Sequence, residues 1–272
     1  MATVNLNFHE TFKPERQYIA AILEISDNTN FLSVKDISSQ TGIPSGVSSG
    51  KVAPHIAYAN YMGLIEYERK DSCYKLSKTK LGEVIFTEDP GLQEELTIWL
   101  CHCMMLRTFK GAPLWSCIFK KILPSYSNGI KKDMLFLELN KAFNGKVKTK
   151  NIAPFFTSYE SFFDLLNILN NKSDNYKLSF AQYKKEYIFM YAYVLLEYWE
   201  ENFLGQDEIT SNQLDELVFG KVFGWDAKTE YGVLEHFSDK GILRLNRQLM
   251  PYTILKLLTK DDLINLLYTE LY

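Results

Sequence analysis

Apolar positions first recur at helical spacing after Pro14, where Ile19, Ile22, Leu23 and Ile25 form one stripe before the polar run Asp27-Asn28-Thr29-Asn30. Ser33 then stands where an N-cap belongs, opening a short second helix, VKDISSQ, that Gly42 closes. Val52, Ile56, Tyr58, Ala59 and Met62 predict a third helix, ended by Gly63. The period then changes to two in LIEYER and CYKLS, on either side of the turn Lys70-Asp71-Ser72, and a further helix runs through Leu81 and Ile85. Three helices and a two-stranded wing predict a winged helix-turn-helix over residues 1–90.

From Leu92 to Trp199 the pattern is helical and rich in aromatics, as in LQEELTIWLCHCMML and QYKKEYIFMYAYVLLEYW, so residues 91–204 read as a helical body. Within it, Ser125 to Ala153 is looser and basic, a connecting segment between helices. Beyond Asp207 the first pattern returns. Placing Leu32 on Ile209 puts Ile37 on Leu214, and one inserted residue later Gly63-Leu64-Ile65 falls on Gly241-Ile242-Leu243. Residues 205–272 therefore read as a second winged-helix-like module. The predicted class is mainly α with small β-wings, an α+β chain.

Composition narrows the function classes. With 46% hydrophobic and 14% aromatic residues among 272, the chain can build a sizeable core. Its start, MATVNLNFHETF, lacks the basic and apolar regions of a signal peptide, and no apolar run is long enough to span a bilayer. A cytoplasmic protein without a membrane segment is expected. The cysteines at 73, 101, 103 and 117 form no C-x-x-C pair, which points to free thiols rather than a zinc or redox centre. Thirty Lys and Arg against 33 Asp and Glu give a formal charge of −3, so any nucleic-acid contact must come from a local patch. The candidates are Lys75, Lys78 and Lys80, then Lys120, Lys121, Lys131, Lys132, Lys146, Lys148 and Lys150.

The stretch GIPSGVSSGKVAPHIAYANYMGLIEYE, from Gly42, superficially resembles a phosphate loop. A Walker loop fails here: Ser45 stands where its first glycine belongs, Val52 replaces the magnesium-binding hydroxyl, and a short helix precedes it instead of a strand. The same physics suits a larger polyanion. The N-terminus of a recognition helix offers free N–H groups and a positive dipole end to phosphate. Ser45, Ser48 and Ser49 would add hydroxyl donors, Lys51 charge, and His55 a reach to a base edge or phosphate of double-stranded DNA. The alternative is a well-capped helix in a domain that binds protein.

Four ordered motifs, FHETF, IPSGVSSGKVAPHIAYANYMGLI, LTIWLCH and APLWSCIFKKI, resemble the SspB family, the nicking component of the bacterial Ssp DNA phosphorothioation system. The likeness covers roughly the first half of the chain motif by motif; beyond Pro124 it rests on architecture and length. It implies a phage-defence protein that nicks DNA with magnesium, beside a cysteine desulfurase, an ATP-dependent sulfur-transfer enzyme and an ATPase, so that sulfur replaces a non-bridging phosphate oxygen. Composition and periodicity by themselves point only to a DNA-binding winged-helix protein.

Cleaving a phosphodiester requires in-line attack, charge neutralisation at phosphorus and a stabilised leaving oxygen, usually through Mg2+ held by carboxylates. No PD-(D/E)xK or HNH pattern is present. His9 and Glu10 in FHETF form the most suggestive pair, a base beside a metal ligand or orienting partner, and Glu10 is the candidate ligand for Mg2+. The structural alternative is a hydrogen-bonded anchor. His102, in WLCHCMML, reads as a core histidine. Two functions therefore stand: a magnesium-dependent endonuclease that nicks DNA, or a noncatalytic DNA-binding adaptor or regulator for sulfur-transfer enzymes. The acidic stretch from Asp207 to Glu235 predicts protein contacts for the carboxyl module, with a second copy of the chain, a homodimer, among the partners.

Overall fold

A computed structural model describes residues 5–271 apart from Asn28 and residues 47–49. Helix α1 (Arg16–Ile25) buries Ile19, Ile22 and Leu23, the stripe that sequence periodicity marks. Strand β1 (Leu32–Ser33) leads into α2 (Val34–Thr41), where the Ser33 hydroxyl accepts from Asp36 N–H and Asp36 accepts from Ser33 N–H, a reciprocal capping box. Helix α3 (Val52–Tyr61) is followed by the hairpin β2 (Ile65–Lys70) and β3 (Cys73–Lys78). Next come α4 (Lys80–Glu88) and α5 (Glu95–Met105), whose residues 96–105 are buried on every face. A helix apolar all round is a central one.

Helix α6 (Pro113–Cys117) runs into a π-helical turn, Ile118–Ile122, and a 3-10 turn, Leu123–Ser125. The segment expected to connect loosely is ordered: β4 (Ile130–Lys131) and α7 (Lys132–Ala142) lie in it, before α8 (Ala153–Tyr159). In α7 only Leu135 and Leu139 are buried while Met134 and Leu137 are exposed, so its apolar residues mark no single stripe. Then follow β5 (Leu169–Lys172), β6 (Asn175–Leu178), the long buried α9 (Ile188–Asn202), β7 (Glu208–Thr210), α10 (Ser211–Leu217), α11 (Ala227–Asp239), β8 (Leu243–Asn246), β9 (Thr253–Lys256) and α12 (Lys260–Ile264).

The fold is α+β, with three antiparallel three-stranded sheets among the described residues. Their strand orders, β1-β3-β2, β4-β6-β5 and β7-β9-β8, are the same: a short first strand joins the far side of the later hairpin. The two stretches aligned by sequence pattern match in detail. Thr210 and Gln213 form a capping box at α10 as Ser33 and Asp36 do at α2. Ile37 and Leu214 are both buried, and Gly63 and Gly241 turn the chain at φ +73° and +68°, a conformation that strains other residues. The Leu64 carbonyl accepts from Thr79 N–H as the Ile242 carbonyl accepts from Leu257 N–H.

The chain divides into two compact units interleaved in sequence. One comprises the described residues of Met1–Met105, Lys110–Trp115 and Phe136–Asn167; its core gathers Phe8, Tyr58, Trp115 and Phe155. The other comprises those of Leu106–Phe109, Ser116–Leu135 and Ile168–Tyr272. There Arg107 and Lys260 both pair with the buried Glu197 of α9, and Glu201 accepts from Thr108 N–H at 2.7 Å. No helix of the described residues is long and apolar enough to cross a membrane.

Candidate nucleic-acid interface

The described ends of the glycine-serine segment come together before α3. The buried Ile43 carbonyl accepts from Ser38 Oγ at 2.6 Å, and Lys51 N–H donates to the Pro44 carbonyl at 2.8 Å. At Gly50 a Cβ would sit 2.7 Å from the Gly46 carbonyl oxygen, so only glycine fits that closure. Ser45 is exposed on the segment. Ser48 and Ser49 lie outside the described residues.

Lys51 takes the N-cap position of α3. Its ammonium pairs with Glu15 at 2.6 Å and lies over the rings of Tyr18 and Phe12 at 5.5 and 5.7 Å. His55, one turn on, is fully buried. Its Nδ1 donates to the Lys51 carbonyl at 2.8 Å, and its Nε2 accepts from Glu15 N–H at 3.2 Å. Both ring nitrogens are therefore committed, in the neutral tautomer that burial favours by lowering the pKa. Here His55 clasps the chain before α1 to the start of α3 and presents neither nitrogen to a ligand. Val52, Pro54, Ile56, Tyr58 and Ala59 are buried too, leaving Ala53, Ala57, Asn60 and Tyr61 partly open on α3. No charged side chain projects from that helix.

His9 is also fully buried, set edge-on to Phe8 and 5.6 Å from Trp115 between ring centroids. Its Nδ1 donates to the Glu10 carbonyl at 3.1 Å, whereas Nε2 completes no hydrogen bond. Desolvation lowers its pKa to about 4, against a weaker opposing pull from the Glu10 and Asn151 backbone. The Glu10 side chain is exposed, on a backbone at φ +54°. His9 and Glu10 thus meet through main chain, not as a carboxylate-imidazole pair. His102 is buried with Nδ1 2.9 Å from the Tyr159 hydroxyl.

Magnesium prefers several oxygen ligands in octahedral array. Among the described residues no three His, Cys, Asp or Glu side chains converge. Glu10 offers a single exposed carboxylate, so these residues do not fit a protein-caged metal.

The sequence reading passed over His236, the one histidine of four that is not buried. It lies on α11 with Nδ1 3.0 Å from the Tyr183 hydroxyl, beside a cavity that Asp239 and Arg247 also line. A lone histidine in an acidic stretch carries no spacing signal.

No protein-family model and no curated protein matches the chain. Two solved structures do: "Magnesium ion-bound SspB crystal structure", with TM-score 0.77, and "SspB crystal structure", with TM-score 0.72. Each is 17% identical, over 98% of this chain and 87% of the other. The chain has an SspB-like fold.

Proposed function

We propose that this protein acts on DNA as a magnesium-dependent nicking endonuclease of a phosphorothioation system. The observation that carries this reading is the likeness of nearly the whole chain to SspB folds, on top of four ordered sequence motifs. In it, the β1-α2-α3-β2-β3 stretch is a winged helix-turn-helix and β7-α10-α11-β8-β9 its second copy. Because the partly open face of α3, Ala53, Ala57, Asn60 and Tyr61, carries no charge, double-stranded DNA is met by the exposed segment around Ser45 and by the wing rather than by α3 in the major groove. Glu10 is the member of the His9-Glu10 pair that a hydrated magnesium ion or a phosphate reaches directly. His9 takes part only when its segment lifts from Trp115. The sulfur-transfer proteins of the same pathway, and a second copy of the chain, are the partners in this reading.

Supercoiled plasmid incubated with the pure protein and magnesium should yield open circles, and EDTA should abolish them. Retarded but uncut plasmid would favour the second reading, a noncatalytic adaptor for sulfur-transfer enzymes. The burial of both His9 and His55 supports that alternative. Neither retardation nor cutting would overturn both.

A further inference from the structure

A cavity of about 250 Å3 in the second unit has a floor of Leu123, Leu178 and Trp225 and a rim carrying Lys177, Lys221, Tyr126 and Ser127. No acidic side chain lines it, in a chain whose acids outnumber its bases. Both lysines are exposed, and neither forms an ion pair among the described residues. Its walls are held from behind. Trp225 Nε1 donates to the Ala181 carbonyl at 2.8 Å, and the indole stacks on Phe223 at 4.5 Å and 23°. Asn175 Nδ2 donates to the Asn128 carbonyl at 3.0 Å, fixing the turn that carries Tyr126 and Ser127 to β6. The half-buried Glu230 accepts from Gly220 N–H at 2.7 Å, anchoring the 3-10 turn that carries Lys221, and its charge also acts on Lys221, though it does not line the cavity.

Two cations and two hydroxyls over a preformed apolar floor select a ligand that is anionic at one end and flat or apolar at the other. We propose that this cavity binds one 5′-phosphorylated nucleotide, the phosphate between Lys177 and Lys221 and the sugar and base on the apolar floor. The nucleotide comes either free or as the end of a single strand; the shared chemistry is the same. The proposal does not depend on the nicking reading, since a noncatalytic adaptor would bind the nucleotide equally.

Calorimetric titration of the full chain tests it, with dAMP, 2′-deoxyadenosine, inorganic phosphate and 5′-phosphorylated tetrathymidylate as probes. Saturable one-to-one binding of dAMP is expected, at least tenfold tighter than the nucleoside or phosphate alone. Lys177→Gln and Lys221→Gln should each weaken it about tenfold, the usual scale for one charge-assisted contact. Both lysines are exposed, so the melting temperature should hold and report folding. Displacement of dAMP by the oligonucleotide would assign the site to a strand end; dAMP binding without displacement, to a free nucleotide. Absence of saturable binding by dAMP and oligonucleotide alike would overturn the proposal, as would affinities unchanged in the two variants.

Discussion

His9 and His55, two of the three imidazoles of the first unit, show how burial turns a reactive side chain into a fastener. His9 is neutral at pH 7 because charging it would strand an ion among Phe8 and Trp115. Its folded pKa, about 4, lies below the unfolded value of 6.5, so between those values the unfolded chain binds more protons and stability rises as pH rises. The contribution is complete above pH 6.5 and is lost as pH drops toward 4, amounting to about 2 kcal/mol by pH 5. Urea unfolding at pH 7 and pH 5 should show this loss in the wild type and a smaller one in His9→Phe. Equal losses would mean that His9 is not the proton acceptor. Glu10, being exposed, separates chemistry from folding: Glu10→Gln should leave the urea midpoint unchanged while lowering plasmid nicking by about 10²-fold if it serves the reaction. His9→Ala should instead cost about 3 kcal/mol, as aromatic truncations in a core do. Little of this was legible in FHETF. The partners that bury His9 and engage His55 are Trp115, far along the chain, and Glu15, 40 residues away, and local pattern carries no information about either.

At the scale of elements the sequence was more informative, because helix ends are written locally. Ser33 and Thr210 each satisfy an N–H three residues on and receive a reciprocal bond, so the alignment of the two stretches extends to their capping chemistry. Ser33→Ala and Thr210→Ala should each cost about 1 kcal/mol in urea unfolding. A negligible cost at one would mean that its cap is open in solution. The first helices, the β2–β3 hairpin and the long apolar α5 and α9 follow from period and punctuation. The middle sheet does not. Its β4 has two residues, of which Ile130 is buried, and β5 and β6 read LNNK and NYKL, where Tyr176 is the one buried residue, so no run of alternation marks them. Likewise α3 was assigned a DNA-reading face from its position in a motif. Its buried residues occupy most of the helix, and the partly open face left over, Ala53, Ala57, Asn60 and Tyr61, carries no charge.

For the whole molecule, charge marks the carboxyl module for protein contacts, and the packing of the second unit ties that module to what precedes it. Glu197 of α9 lies between Arg107 and Lys260, and the Trp199 indole donates to the Gln206 carbonyl at 2.9 Å. A chain ending at Asn202 would leave the buried Arg107–Glu197 pair without its second cation and expose the apolar flank of α9, an apolar surface that promotes aggregation. Such a truncation should be insoluble or lose its cooperative transition by circular dichroism; a soluble, sharply unfolding product would refute this. The interleaving also sets a timetable for biosynthesis. Arg107 leaves the ribosome 90 residues before Glu197, and Thr108 93 before Glu201, the side chain that receives its N–H. While α9 is still being translated, that short stretch lacks the carboxylates that Glu197 and Glu201 later supply. The second unit therefore closes at the end of translation, and a ribosome stalled anywhere before Lys260 holds a nascent chain in need of a chaperone.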